Sequence, residues 1–300
     1  MKNTISCNRK AVFQFDKKLK QNKHHMEDFS TFYFSDNSSS KRLVYKKGSG
    51  PAVILMHELP GMIPECVDLA RRLAENFTVY MPLLFGEPDK PLSALGMAKY
   101  TAQLCISKEF YCFAKNKSSP ITDWLKALCR HGKQECGGQG VGVIGMCLTG
   151  GFALSLMADD SVIAPVASQP SLPFGITSTH KKALGISPDD LQNAKERANS
   201  GVPILALRFS EDSISPPEKF ETLRQEFGKE TDTIEDSAEL CWKKGTVLET
   251  MVVNSKPNNP YSIPQDSHAV LTLGFSSNPE HPTNRVFKRV VEFLQEQFEK

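Results

Sequence analysis

Short apolar runs alternate with longer amphipathic ones along most of the chain, the pattern of buried strands separated by covering helices on a parallel sheet. "AVILMH" (Ala52 to His57) is apolar up to its last residue, which predicts a strand buried on both faces. Further strands are predicted at "TVYMPLL" (Thr78 to Leu84), "GVGVIG" (Gly140 to Gly145), "SVIAPVASQ" (Ser161 to Gln169), "VPILALRF" (Val202 to Phe209) and "TVLETMVV" (Thr246 to Val253). Helical spacing marks "ECVDLARRLAENF" (Glu65 to Phe77), "ITDWLKALCRHG" (Ile121 to Gly132), "DDLQNAKERA" (Asp189 to Ala198) and the closing "NRVFKRVVEFLQEQF" (Asn284 to Phe298). "STFYF" (Ser30 to Phe34) and "RLVYK" (Arg42 to Lys46) flank a polar turn and predict an opening hairpin. No internal repeat interrupts this order. The pattern predicts an α/β fold, a mostly parallel sheet with helices on both faces, in one domain over residues 29–300. Residues 1–28 read as a locally basic extension, and 91–139 as a long helical insertion fit to wall or cover a pocket.

Composition narrows the class. With 40% hydrophobic and 23% charged residues, a 300-residue chain can bury a full core. Basic residues number 36 and acidic ones 34, a net charge of +2, so no strong field points to nucleic acid or a membrane surface. No apolar run approaches the roughly 18 residues of a membrane span. The N-terminus lacks the apolar core of a secretion signal, which makes the cytoplasm the expected compartment. The eight cysteines are an even number, yet in a chain this long without an export signal reduced thiols are expected. There is no C-x-x-C pair, and the histidines do not stand at zinc spacing from cysteines, so no metal or other cofactor is expected.

One cysteine stands apart. "GVIGMCLTGGFALSLM" (Gly142 to Met157) sets Cys147 where an apolar strand ends and a small-residue helix begins, with Gly145 two positions before it and Gly150 and Gly151 three and four after. A buried apolar filler is the plain reading of such a residue. The same strand–turn–helix pattern, with small neighbours, is also what lifts a nucleophile above a sheet. The amide of Leu148 would then face an oxyanion, and the helix N-terminus favours thiolate over thiol.

A thiol nucleophile calls for a base and an orienting acid, which on such sheets follow the nucleophile in the order acid, histidine. After "VPILALRF", the loop "SEDSISPPEKF" carries Asp212; after "TVLETMVV", the loop "NSKPNNPYSIPQDSHAV" carries His268. Glu211 beside the acid and His281 before the last helix are the alternatives. Upstream, "AVILMHELPGM" ends a strand with His57, Glu58 and Leu59. Leu59 stands where a second oxyanion amide is supplied. A carboxylate at a buried strand end needs partners, which singles out Glu58, while His57 reads as a core histidine tied to backbone.

Taken together, "VILMHELPG", "GVIGMCLTGGFAL", "SEDSISPP" and "DSHAV" resemble the dienelactone hydrolase family of α/β-hydrolases, over roughly Phe29 to the C-terminus. The resemblance implies an α/β-hydrolase fold and a cysteine hydrolase that opens a small ester or lactone through a thioester. By position it implies Cys147 as nucleophile, His268 as base and Asp212 as triad acid. It implies Glu58 as the carboxylate that takes part in activating the thiol, and Leu59 and Leu148 as oxyanion donors. Two features depart from the family pattern. Thr149 stands where well-known members have glycine, and "MPLLFGEPDKP" and "HAVLTLGFS" lack the two arginines that bind a substrate carboxylate there. The only cation in those stretches is Lys90; cations from elsewhere that could reach the pocket are Lys108 and Arg285. A non-hydrolytic ligand-binding relative and a redox-sensing thiol are the rival readings; the latter leaves Glu58 and His268 without a role.

Overall fold

The structure is a computed structural model and describes residues 26–36, 41–91, 119–173, 177–228 and 231–300. Its centre is a ten-stranded sheet in the order β1-β2-β4-β3-β5-β6-β7-β10-β9-β8. These strands are β1 (Ser30–Ser35), β2 (Lys41–Lys47), β3 (Ala52–Met56), β4 (Thr78–Pro82), β5 (Val141–Met146), β6 (Val162–Ser168), β7 (Ile204–Phe209), β8 (Thr231–Asp236), β9 (Leu240–Gly245) and β10 (Leu248–Val253). The six central strands, β4 to β10 in that order, pair in parallel, and both edges are antiparallel. The β8–β9 hairpin is absent from the expected elements. Its β8 is the polar "TDTIED" at the sheet edge, where pairing proceeds without apolar burial.

Alternation along β3 divides the core. Val53 and Leu55 enter a cluster with Leu69, Leu73, Val290 and Phe293. Ile54 and Met56 enter another with Trp124, Leu128 and Phe152. Helices α1 (Pro64–Leu73) and α7 (Pro282–Phe298) therefore cover one face, and α2 (Pro120–Cys136) and α3 (Gly150–Leu156) the other. A third cluster joins α3 to α5 (Pro188–Asn199) and α6 (Pro217–Phe227); the short α4 (Ser178–Lys182) precedes them. The expected mostly parallel sheet with helices on both faces is what the chain builds.

Of the expected extension, Met26–Asp28 form a 3₁₀ turn, with Asp28 pairing Arg71 and Lys47, and residues 1–25 lie outside the described residues. Of the expected insertion, residues 92–118, Lys108 among them, also lie outside. The rest is α2, a sheet-covering helix with Trp124, Leu125 and Leu128 fully buried. Among the described residues no helix is long and apolar enough to cross a membrane. Cys66, Cys129, Cys136, Cys147 and Cys241 are free thiols, and the other three cysteines lie outside the described residues.

Candidate active site

The carboxyl ends of β3, β5, β6 and β7, and the long loop after β10, converge on Cys147. Its φ is +53°, a left-handed conformation that costs a non-glycine residue about 1–2 kcal/mol. A 3₁₀ turn, Cys147–Thr149, links β5 to α3, and the first amides of such a turn have no partner within it. Small neighbours are a steric necessity here. A Cβ on Gly145 would lie 2.1 Å from the Thr149 carbonyl oxygen, and one on Gly150 2.6 Å from Pro170 Cα.

Thr149 itself is not a crowding residue. Its hydroxyl accepts from the Met146 amide at 2.9 Å and lies 3.1 Å from the Met56 carbonyl oxygen, tying the ends of β5 and β3 together. On the helix side of Cys147, the position with no room for a Cβ is Gly150, one step later. Gly145→Ala should destabilise the protein by about 1–3 kcal/mol or more, because the obstructing atom is backbone and cannot rotate away. Thr149→Val should cost about 1–3 kcal/mol through the orphaned Met146 amide. Urea unfolding of both variants measures these losses.

Asp212 sits on the loop after β7, 2% exposed. Its Oδ1 accepts from the amides of Ile214 and Ser215 at 2.9 and 3.1 Å, and its Oδ2 from His268 Nδ1 at 2.7 Å. Arg208 braces the loop by donating to the carbonyls of Ser210 and Ser215. With Nδ1 committed, the remaining ring nitrogen of His268, Nε2, is buried and has no hydrogen-bond partner among the described residues. Burial works against a charged imidazole, but Cys147 and Asp212 beside it outweigh burial and hold His268 well above its ordinary pKa. His268 rides on a loop fixed by buried Val270 and Leu271 and by Asn259, whose side chain bonds the backbone of Lys256, Tyr261 and Ile263.

Glu58, 2% exposed, completes the cluster: one ligand atom from each of Glu58, Cys147 and His268 lies within 4.8 Å of the other two. The Thr272 hydroxyl donates to Glu58 Oε1, and Gln169 Nε2 to Oε2 at 3.2 Å. Burial nevertheless pushes the Glu58 carboxyl above the usual carboxylate range. Thr272 and Gln169 are absent from the expected site, as is Ser171, whose hydroxyl is 3.4 Å from Cys147 Sγ and whose amide donates to the Cys147 carbonyl. One signal pointed to Gln169 and Ser171: polar residues closing an apolar parallel strand stand at the end where ligands bind. The segment after Ser171 is held from behind by Lys219 of α6, fully buried, whose Nζ donates to the carbonyls of Leu172, Pro173, His180 and Ala183.

The alternatives fall elsewhere. Glu211 is exposed and accepts only from its neighbour Ser210. His281 caps α7, accepting from the Thr283 amide. His57 is the core histidine expected, donating from Nδ1 to the Glu58 carbonyl and accepting at Nε2 from the Leu84 amide. Burial lowers its pKa to about 4. From its ordinary value down to about 4 the unfolded chain takes up a proton that the folded chain refuses. Its contribution to stability is therefore intact above about pH 6.5 and lost as pH falls through 4. Each tenfold loss of proton affinity on folding is worth about 1.4 kcal/mol, which makes the contribution about 3 kcal/mol. Urea unfolding at pH 7 and 4.5 should show a smaller acid loss in His57→Gln than in the natural protein.

The chemistry open to this cluster follows from its own members. A cysteine sulfur on a strained turn, a histidine oriented by a carboxylate and a second buried carboxyl can add a nucleophile to a carbonyl and move its proton. No curated protein matches the sequence. Among solved structures, Thermogutta terrifontis esterase 2 phosphoramylated by tabun superposes with a TM-score of 0.54 at 13% identity, covering 91% of this chain and 96% of that one. A dienelactone hydrolase-like promiscuous phosphotriesterase from metagenomic libraries gives 0.52 at 16%, covering 90% and 98%. Est1E from Butyrivibrio proteoclasticus gives 0.52 at 12%, covering 90% and 99%. At such identities the likeness establishes the α/β-hydrolase fold. The sequence profile of the dienelactone hydrolase family, however, matches residues 41–235, well over half of the chain, and to that family the chain belongs.

Proposed function

We propose that the protein hydrolyses an ester or lactone of a small carboxylic acid through a Cys147 thioester. The Cys147 thiolate adds to the carbonyl carbon, and the amides of Leu59 and Leu148 receive the oxyanion. His268 gives its proton to the departing alkoxide as the thioester forms. It then takes a proton from water, which attacks the thioester and returns Cys147 as thiolate. Asp212 keeps the imidazole in the required tautomer, and Glu58 takes part in activating the sulfur. The observation that carries this reading is a left-handed Cys147 beside a buried, unpartnered His268 Nε2 whose other nitrogen is bonded to Asp212. Rapid quenching with a p-nitrophenyl ester, followed by peptide mass analysis, should find the acyl group on Cys147. A burst of p-nitrophenol with the label on another residue counts against the assignment.

Substrate charge follows from the cations. Lys90 pairs with Glu87 at 3.3 Å on the surface, and Arg285 pairs with Glu235 and Glu239. The arginines that the family uses for a carboxylate are absent from their stretches. Losing two charge-assisted contacts of about 1.5–3 kcal/mol each weakens binding of an anionic lactone by about two to four powers of ten. Neutral substrates should accordingly be turned over at least as efficiently as carboxylated ones of similar size. Comparing kcat/KM for matched pairs at low and high salt decides this; a strong, salt-sensitive preference for the anion refutes it.

A further inference from the structure

We propose that Glu58, Cys147 and His268 together form a binding site for a thiophilic divalent cation of the zinc class, and that its occupation silences the hydrolase. The binding stands on geometry alone; only the silencing rests on the function proposed above. The three residues follow three different strands, β3, β5 and β10, so no spacing along the chain announces them as ligands. The fold brings their donor atoms within 4.8 Å of one another. Zinc bonds of about 2.3 Å to sulfur and about 2.0–2.2 Å to nitrogen or oxygen set neighbouring donors about 3.3–3.7 Å apart in a tetrahedron. Side-chain rotations of about an ångström close the difference.

Each donor already has the support that a metal ligand needs. A carboxylate bonded to one imidazole nitrogen turns the other toward the metal and raises its basicity, and Asp212 does this to His268. That other nitrogen, Nε2, is buried with no hydrogen-bond partner among the described residues. Glu58 is oriented by Thr272 and Gln169, one on each oxygen, and each oxygen keeps a lone pair to donate. Ser171 stands beside the sulfur. Thiolate and carboxylate together cancel the charge of a dication, so the complex leaves no unpaired charge in a buried place. A sulfur–imidazole pair favours zinc and cadmium and disfavours magnesium and calcium, which seek oxygen. A cation bound here engages the electron pairs of both Cys147 Sγ and His268 Nε2. The nucleophile and the base are withdrawn together.

The test is a titration of the metal-free full-length protein with Cd²⁺ alone, read as thiolate-to-cadmium charge-transfer absorbance in the ultraviolet, alongside an ester hydrolysis assay. One equivalent should produce a band that Zn²⁺ displaces, a chelator removes and Mg²⁺ at millimolar concentration leaves unchanged. The band should be lost in Cys147→Ser. Glu58→Gln and His268→Ala, each checked for folding by circular dichroism, should bind Cd²⁺ at least about tenfold more weakly. Hydrolysis should fall in step with the band and return with the chelator. A band that survives in Cys147→Ser, or an affinity unchanged in both Glu58→Gln and His268→Ala, overturns the site. A saturated band with hydrolysis unaffected overturns the silencing. Should the untreated protein hydrolyse no ester while the band keeps its dependence on all three residues, the cation site holds and the proposed function fails.

Discussion

Replacing Cys147 by alanine is expected to bring ester hydrolysis down by four or more powers of ten, close to what the oxyanion amides and binding alone provide. No neighbouring group replaces the sulfur. Ser171 has a hydroxyl 3.4 Å away, but its oxygen is not at the left-handed turn that presents a side chain to the bound carbonyl. Cys147→Ser should also fall far below the natural protein, since an alcohol is far less acidic than a thiol and a site tuned for a thiol lacks a base strong enough to activate it. Alkylation should inactivate in proportion to labelling of Cys147. Burial pushes the thiols of Cys66, Cys129 and Cys241 up, which keeps them out of competition. Near-natural activity in Cys147→Ala is the result that would falsify the nucleophile assignment.

The second large effect belongs to His268 and the carboxylate behind it. His268→Ala should lose about 10³-fold or more in kcat, with both proton transfers left to water. Asp212→Asn should lose less, about 10- to 10³-fold, because a thiol needs less help than the alcohol of a serine triad, where the same change costs about 10⁴. The pH profile separates an orienting role from a merely structural one. The Asp212 carboxylate helps to raise the His268 pKa, so its neutralisation must lower it. The alkaline limb of kcat/KM, where the imidazolium proton is lost, should move to lower pH in Asp212→Asn. Glu211→Gln should leave both rate and profile near natural values. A loss there equal to that of Asp212→Asn would move the role one residue back.

What could be read from the chain and what could not divide along physical lines. The parallel strands were legible because both their faces are buried, and continuous runs such as "AVILM" follow from that. Cys147, Asp212, His268 and Glu58 stand out because each closes or follows such a run. The β8–β9 hairpin carries no comparable run, its β8 lying at the edge. Helix α6 has Phe220, Leu223 and Phe227 at helical spacing, but the proline pair before it reads equally well as loop. Gln169, Thr272 and Lys219 act through partners 111, 214 and 36 to 47 positions away. No local pattern encodes a contact of that kind.

The Lys219 clamp separates two things that enzymes often keep entangled. The groups proposed to react are mounted on strand ends and on the loop of His268, whereas the segment beside Ser171 is fastened by one ammonium reaching out of α6. A change at Lys219 therefore acts on the wall next to the sulfur from a helix that carries neither Cys147 nor His268. Under the proposed function, a lineage that needs to accept a bulkier acyl group has a route open to it here, in which selection works on a mounting point outside the strand ends.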